Sequence, residues 1–156
     1  SQSHGSLNQK ATFGWLFFTL PRAPSTAYRN PSARVAPMSK ISILDYQTTA
    51  HEAYEVDAEK MRGGSPKQIL SNHFSDATGQ FHVGFWEAEI GEWNVNYTEF
   101  EYCEILEGRI RMSSDGGDVR TVSKGDRFVI EAGYKGVWQV LEYAKKVYVI
   151  FEPKKS

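Results

Sequence analysis

The chain has one cysteine, Cys103, so it cannot form an intrachain disulfide, and nothing in it requires an oxidising compartment. It has no apolar run approaching the ~20 residues that cross a bilayer. It also has no excess of positive charge. With 18 Lys and Arg against 19 Asp and Glu the net charge is -1, which argues against a dedicated nucleic-acid surface. Histidine is scarce, and His4, His51, His73 and His82 include no pair at the close spacing of a zinc site. These absences leave an ordinary globular composition, 40% hydrophobic and 24% charged, over 156 residues. That length fits one domain with a sizeable core. Cytoplasmic placement is expected, with no membrane and no nucleic acid among the partners.

Acidic residues are missing altogether from positions 1–37, where Lys10, Arg22, Arg29 and Arg34 give +4. The remainder, with 14 basic and 19 acidic residues, carries -5. This first piece is rich in Ser, Asn and Pro, and its apolar island runs from Trp15 to Leu20 before Pro21. It reads as a tag, as upstream sequence, or as a targeting-like extension. Met38-Ser-Lys-Ile41 looks like a natural start, so residues 38–156 are taken as a single domain.

Within that domain Ile41 to Asp45 reads as a short strand. Thr48 to Met61 reads as loop with one short helix at most, and residues 62–80 read as turn-rich. The texture changes at Phe81. Short runs rich in Val, Ile, Phe, Tyr and Trp recur between turn signals. The expected strands are Phe81–Glu89, Trp93–Tyr97, Glu101–Glu107, Arg109–Ser113, Val119–Val122, Phe128–Ile130, Val137–Leu141 and Val147–Phe151. Asp115-Gly-Gly117 and Ser123-Lys-Gly-Asp126 are the clearest turns. Many short strands of this kind make an all-β sandwich or barrel.

One stretch concentrates the chemistry: Tyr97-Thr-Glu-Phe-Glu-Tyr-Cys-Glu-Ile-Leu-Glu-Gly108. Alternation along a strand puts Glu101, Cys103 and Ile105 on one face. A carboxylate sharing a face with a cysteine and an isoleucine heads for a cavity or core, and it does not enter one without a partner. The stretch ends on a glycine seven residues after Glu101, which is expected to turn the chain.

This pattern resembles the second half of the first cupin motif, and Gly125-Asp-Arg-Phe-Val-Ile-Glu-Ala-Gly133 resembles the start of the second. The flanks Gly84-Phe-Trp-Glu87, Ile90-Gly91, Gly136-Val-Trp138 and Lys146-Val-Tyr148 are similar to the small single-domain, RmlC-like cupins related to ureidoglycine aminohydrolase. The resemblance covers residues 81–152. It implies an all-β cupin jelly-roll barrel, here with an irregular N-terminal arm. Metal cupins imply two histidines, a glutamate and a third histidine as ligands. At the corresponding positions stand Val95 and Tyr97 (or Asn94 and Asn96), Glu101 and Gly136, and Glu131 replaces a usual proline. Only the glutamate remains, so no metal and no cofactor are expected.

The expected site is a pocket inside the barrel, where a few polar groups among apolar walls hold one small molecule. Glu101 is the candidate catalytic or anchoring carboxylate, a general base if burial raises its pKa. Trp86, Tyr97, Glu99, Cys103, Trp138 and Lys146 are candidate substrate-binding residues. Cys103 is not expected to be a nucleophile, because a neighbouring carboxylate disfavours the thiolate. The function expected is binding of a small polar molecule, with metal-independent catalysis as an option. The alternatives are a metal-dependent enzyme resembling ureidoglycine aminohydrolase and a non-catalytic dimerising β domain. A homodimer is expected, with Ile41 to Asp45 as spare strand material. With Glu101 as a pocket residue, Glu101→Gln should leave stability level or raise it.

Overall fold

The computed structural model describes residues 39–154. What was expected of residues 1–37, and of Met38 as a start, lies outside the described residues. The described chain is nearly all strand: β1 (Glu52–Glu55), β2 (Met61–Gly63), β3 (Lys67–Ser75), β4 (Phe81–Ala88), β5 (Gly91–Asn96), β6 (Phe100–Ser114), β7 (Val119–Ser123), β8 (Arg127–Ile130) and β9 (Lys135–Phe151). One 3₁₀ turn, Tyr46–Thr48, precedes them, capped by the Asp45 side chain accepting from the Gln47 N–H.

Two long strands organise the rest. β6 and β9 run antiparallel along their full lengths, from Phe100 opposite Phe151 to Ser114 opposite Gly136. β4 adds to the second half of β9 and β5 to its first half. β8 adds to the first half of β6 and β7 to its second half. The order β1-β3-β4-β9-β5-β2 completes a curled half-barrel, consistent with a jelly-roll fold.

Several local expectations are corrected. Gly108 does not turn the chain. It lies inside continuous β6, at φ +81°, where the register against β9 shifts around Glu107 and Arg109. The strand bends there, because residues beyond the glycine go on pairing with β9. Likewise, the two strands expected at 137–141 and 147–151 are one, since Glu142 to Lys145 contains no residue that breaks a ladder. Ile41 to Asp45 is not a strand. Positions 48–61 form β1, a turn and β2 rather than a helix. Much of 62–80 is the nine-residue β3. β3 escaped notice because it buries Gln68 and Ser71, so its inward face does not read as apolar. The Asp115–Gly117 hairpin and the Ser123–Asp126 turn form as expected, the latter closed by Asp126 N–H to Ser123 O at 2.9 Å.

The inner face is built on three tryptophans. Trp86 on β4 meets Trp138 on β9 edge-on at 5.9 Å and Trp93 on β5 at 6.3 Å. Ile105, Ile110, Val140, Ala144 and Ile150 pack around them. The outer face of the β4–β9–β6–β8 sheet is also apolar. Phe81, Phe151 and Phe100 form one cross-strand row, and Val83, Val149, Tyr102 and Val129 the next.

The bend in β6 generates a prediction. A Cβ at Gly108 would overlap the carbonyl of Tyr143 and would sit at positive φ. Gly108→Ala should therefore cost more than about 3 kcal/mol, from left-handed strain plus overpacking. Gly117→Ala, also at positive φ but in open space, should cost only about 1–2 kcal/mol. Urea denaturation of both variants checks the contrast.

Candidate functional site

β6 carries Glu101 and Cys103 inward, and β9 carries Lys146 inward, opposite Trp86 on β4 and Ile105 on β6. Lys146 Nζ donates to Glu101 Oε1 at 2.6 Å, and neither residue has any exposed surface. The same ammonium lies 3.6 Å from Cys103 Sγ, 4.8 Å from the Trp138 ring and 5.0 Å from the Trp86 ring. Four of the residues singled out from sequence, Trp86, Cys103, Trp138 and Lys146, thus meet around Glu101. The cation that the buried carboxylate needs comes from the chain itself.

The electrostatics follow from this packing. Burial pushes the Lys146 ammonium down, but Cys103 and Glu101 outweigh it and the net shift is upward. A folded-state pKa raised in this way contributes stability below the ordinary lysine range, lost as pH rises through the folded value. Burial, then the charge of Glu101, hold the Cys103 thiol well above its usual range, so it stays protonated. Tyr97 is fully buried, and burial and the Glu101 charge raise its phenol as well. Glu99 is buried but turned aside: its Oε2 accepts from the Thr98 N–H at 2.8 Å and from Thr98 Oγ1 at 3.0 Å. Burial raises its pKa.

Sequence reasoning missed part of the centre. Trp86 Nε1 donates to Gln68 Oε1 at 2.7 Å, and Tyr54 OH donates to the same oxygen at 2.9 Å. Tyr148 donates to Asn72 Oδ1 at 2.8 Å, and a side chain at Gly84 would collide with its phenol. Tyr54, Gln68 and Asn72 lie in the stretch read as loop, so no signal pointed to them.

The cavity lies beside this centre. About 590 Å³ opens between β6, β7 and β8, walled by Met112, Val122, Phe128, Ile130 and Tyr134. Arg120, Arg127, Asp118 and Glu131 stand among its polar lining. None of the residues chosen from sequence lines it. Glu101 is one strand back, opposite Ile130, and Tyr97 stands behind Tyr134 with ring centroids 5.8 Å apart. The Tyr134 hydroxyl is buried and has no hydrogen-bond partner among the described residues. Burial, then Asp115 and Asp118, raise its pKa. Its sequence signal was faint, a lone tyrosine after the turn at Gly133.

The residues do not fit a metal. Among the described residues no group of three or more His, Cys, Asp or Glu could hold one. His82 hydrogen-bonds with Ser75 and Gly79, His51 with Ser71, and His73 with Ser42. Glu101 already holds an ammonium. No helix of the described residues is long and apolar enough to cross a membrane.

Comparison with known proteins places this geometry. Residues 75–148 match the model of the EutQ-like cupin domain. The chain carries a cupin domain. Among solved structures, this cupin is similar to a protein of unknown function of the DUF861 family from Pseudomonas syringae, at 24% identity and TM-score 0.62. That match covers 69% of this chain and 46% of the other. It is also similar to the EutQ protein of Clostridium difficile, at 19% identity and TM-score 0.51, covering 57% and 65% of the two chains. For a putative ethanolamine utilization protein Q of Salmonella typhimurium the values are 14%, 0.51, 69% and 99%. The chain thus spans less than half of the Pseudomonas protein and just under two thirds of the Clostridium one. At these identities the likeness is one of fold. No curated protein matches the chain.

The ion pair changes what is expected of Glu101→Gln. With Lys146 against it, removing the carboxylate leaves a buried ammonium unpaired. Glu101→Gln and Lys146→Met should each cost about 3–5 kcal/mol, and the double variant should recover most of that loss. A thermal and urea double-mutant cycle measures it. Single losses that simply add would show that the two groups do not act as a pair.

Proposed function

We propose that this cupin binds a small polar molecule in the cavity between β6, β7 and β8. The observation that carries the reading is Tyr134, which lines a cavity of about 590 Å³ and whose buried hydroxyl has no hydrogen-bond partner among the described residues. A buried hydroxyl without a partner is costly, and a ligand acceptor would relieve it. The rest of the lining mixes apolar side chains, Met112, Val122, Phe128 and Ile130, with charges of both signs, a composition that can orient one compact polar ligand. Glu101, Lys146, Tyr97 and Trp138 then form the rigid support behind the pocket rather than its lining. Metal-independent catalysis in this cavity would draw on Tyr134 and Glu131 rather than on Glu101. An activity resembling ureidoglycine aminohydrolase and dependent on a metal finds no donor set among the described residues.

A thermal-shift screen of small metabolites tests the reading, with every hit repeated on two variants. Tyr134→Phe should weaken binding roughly tenfold, about 1.4 kcal/mol, with little change in Tm. Ile130→Trp should fill the cavity and abolish binding. Hits that bind both variants as well as wild type would place the ligand elsewhere.

We also propose that the chain is a homodimer through the outer face of β4, β9, β6 and β8. The end of β9 is apolar on both faces, with Tyr148 and Ile150 turned inward and Val147, Val149 and Phe151 outward. An antiparallel sheet facing water on one side alternates instead. Phe74, Phe81, Phe100, Tyr102, Val129 and Phe151 stay exposed. The occupant that fits is a second copy. A two-fold axis lays these uncharged rows on their own image, and the adjoining Glu104 and Arg127 let opposite charges meet at the margin. Light scattering should return twice the 17.7 kDa chain mass, and Tyr102→Lys with Val129→Asp should return the chain mass with the fold intact. A wild-type monomer at micromolar concentration would reject the proposal.

A further inference from the structure

We propose that the Lys146 ammonium is the permanent internal cation of this cupin barrel, standing against Glu101 in the place that a metal ion would need. The inference goes beyond the ligand-binding reading and does not depend on it.

Several observations converge on Lys146. It is fully buried, so its charge cannot reach water. Glu101 Oε1 accepts a hydrogen bond from its ammonium at 2.6 Å. The faces of Trp86 and Trp138 lie near 5 Å on two sides, where the negative π-surface of an indole favours a cation. Cys103 offers a soft acceptor at 3.6 Å. The chain thus surrounds the ammonium with one full counter-charge and three weaker partners, as a built cation site does.

The same surroundings exclude a metal. A divalent ion at Glu101 would lie within a few ångströms of a like charge that has no route to solvent. The remaining donors are few: Cys103 offers a single sulfur, and no histidine among the described residues reaches the centre, the imidazoles of His51, His73 and His82 being held by hydrogen bonds elsewhere. The positions where the cupin resemblance would put histidine ligands hold Val95 and Tyr97 (or Asn94 and Asn96) and Gly136. At Gly136 the backbone approaches Ser113 so closely that any side chain would collide with it. A histidine could not return there without displacing β6. The substitution of lysine for metal is therefore built into the packing of three strands.

Cobalt(II) serves as the probe, because carboxylate, thiolate and imidazole ligands give it visible absorption. Wild type, stripped with a chelator and titrated with Co(II), should show no stoichiometric uptake by equilibrium dialysis, and its Tm should move with neither chelator nor metal. Lys146→His removes the cation and adds an imidazole beside Glu101 and Cys103. It should bind Co(II) at least tenfold more tightly than wild type, with new visible absorption that Glu101→Gln in the same chain abolishes. One Co(II) per wild-type chain, lost on Glu101→Gln, would overturn the proposal. So would a folded Lys146→His that binds no better than wild type. Should Lys146→His fail to fold, wild type decides alone: a Tm raised by Co(II) and lowered by chelator refutes an internal cation, and an indifferent Tm supports it.

Discussion

The constraint on which the structure depends is a single buried charge pair. Glu101 and Lys146 come from β6 and β9, and neither could be buried alone, because a lone ion in an apolar interior costs several kcal/mol. Their mutual position fixes the register of the two longest strands at the level of Cys103 and Ile105. The tryptophans that flank the ammonium then have defined places, and Trp86 in turn orders Gln68 and Tyr54 on the outer strands β3 and β1. The chain of contacts runs from the barrel centre to the edge of the sheet.

Around that pair, glycine controls where strands bend and how closely they approach. Gly108 lets β6 curve over Tyr143 without breaking its ladder, and Gly84 leaves room for the Tyr148 phenol beneath β3. The half-barrel that results is closed and dry where Lys146 lies, and open where β7 and β8 meet Tyr134. Its charged centre and its cavity are neighbours separated by Ile130 and the Tyr97–Tyr134 ring pair. The ion pair and the cavity thereby occupy two layers of the same inner face.

The residues of the buried centre, though not those of the cavity, were partly legible in the sequence, because strand alternation is a local rule. It assigned Glu101, Cys103 and Ile105 to one face. A carboxylate on an inward face demands a partner whatever the fold, and the motif-like flanks pointed to Trp86, Trp138 and Lys146. What alternation could not show was which partner Glu101 takes, since Lys146 is 45 residues away and their meeting depends on the β6–β9 register. From sequence, therefore, Lys146 is one candidate substrate-binding residue among several, and Glu101 a pocket residue rather than half of a pair. Tyr134 escaped for a similar reason. One tyrosine after a glycine turn has no local pattern, and its significance arises only where three strands leave a cavity in front of it.

The sequence by itself determined that the stretch from Phe81 onward is built of strands, because apolar alternation and turn residues act over a few positions and need no distant partner. The resemblance to cupins, carried over residue by residue, also implied that histidine is absent where metal cupins carry it, since that comparison needs only the identity of the residues at those positions. Tertiary structure decided the rest. It joined the segments on either side of Gly108 into one strand, because a positive-φ glycine permits a turn or a bulge and only the continuing partner strand chooses between them. It recruited β1 and β3 from a stretch with no apolar pattern, because their buried Gln68 and Ser71 are satisfied by or packed against groups distant in sequence. It brought Lys146 to Glu101, because only the pairing of two long strands can place a cation where a lone carboxylate would otherwise be forbidden.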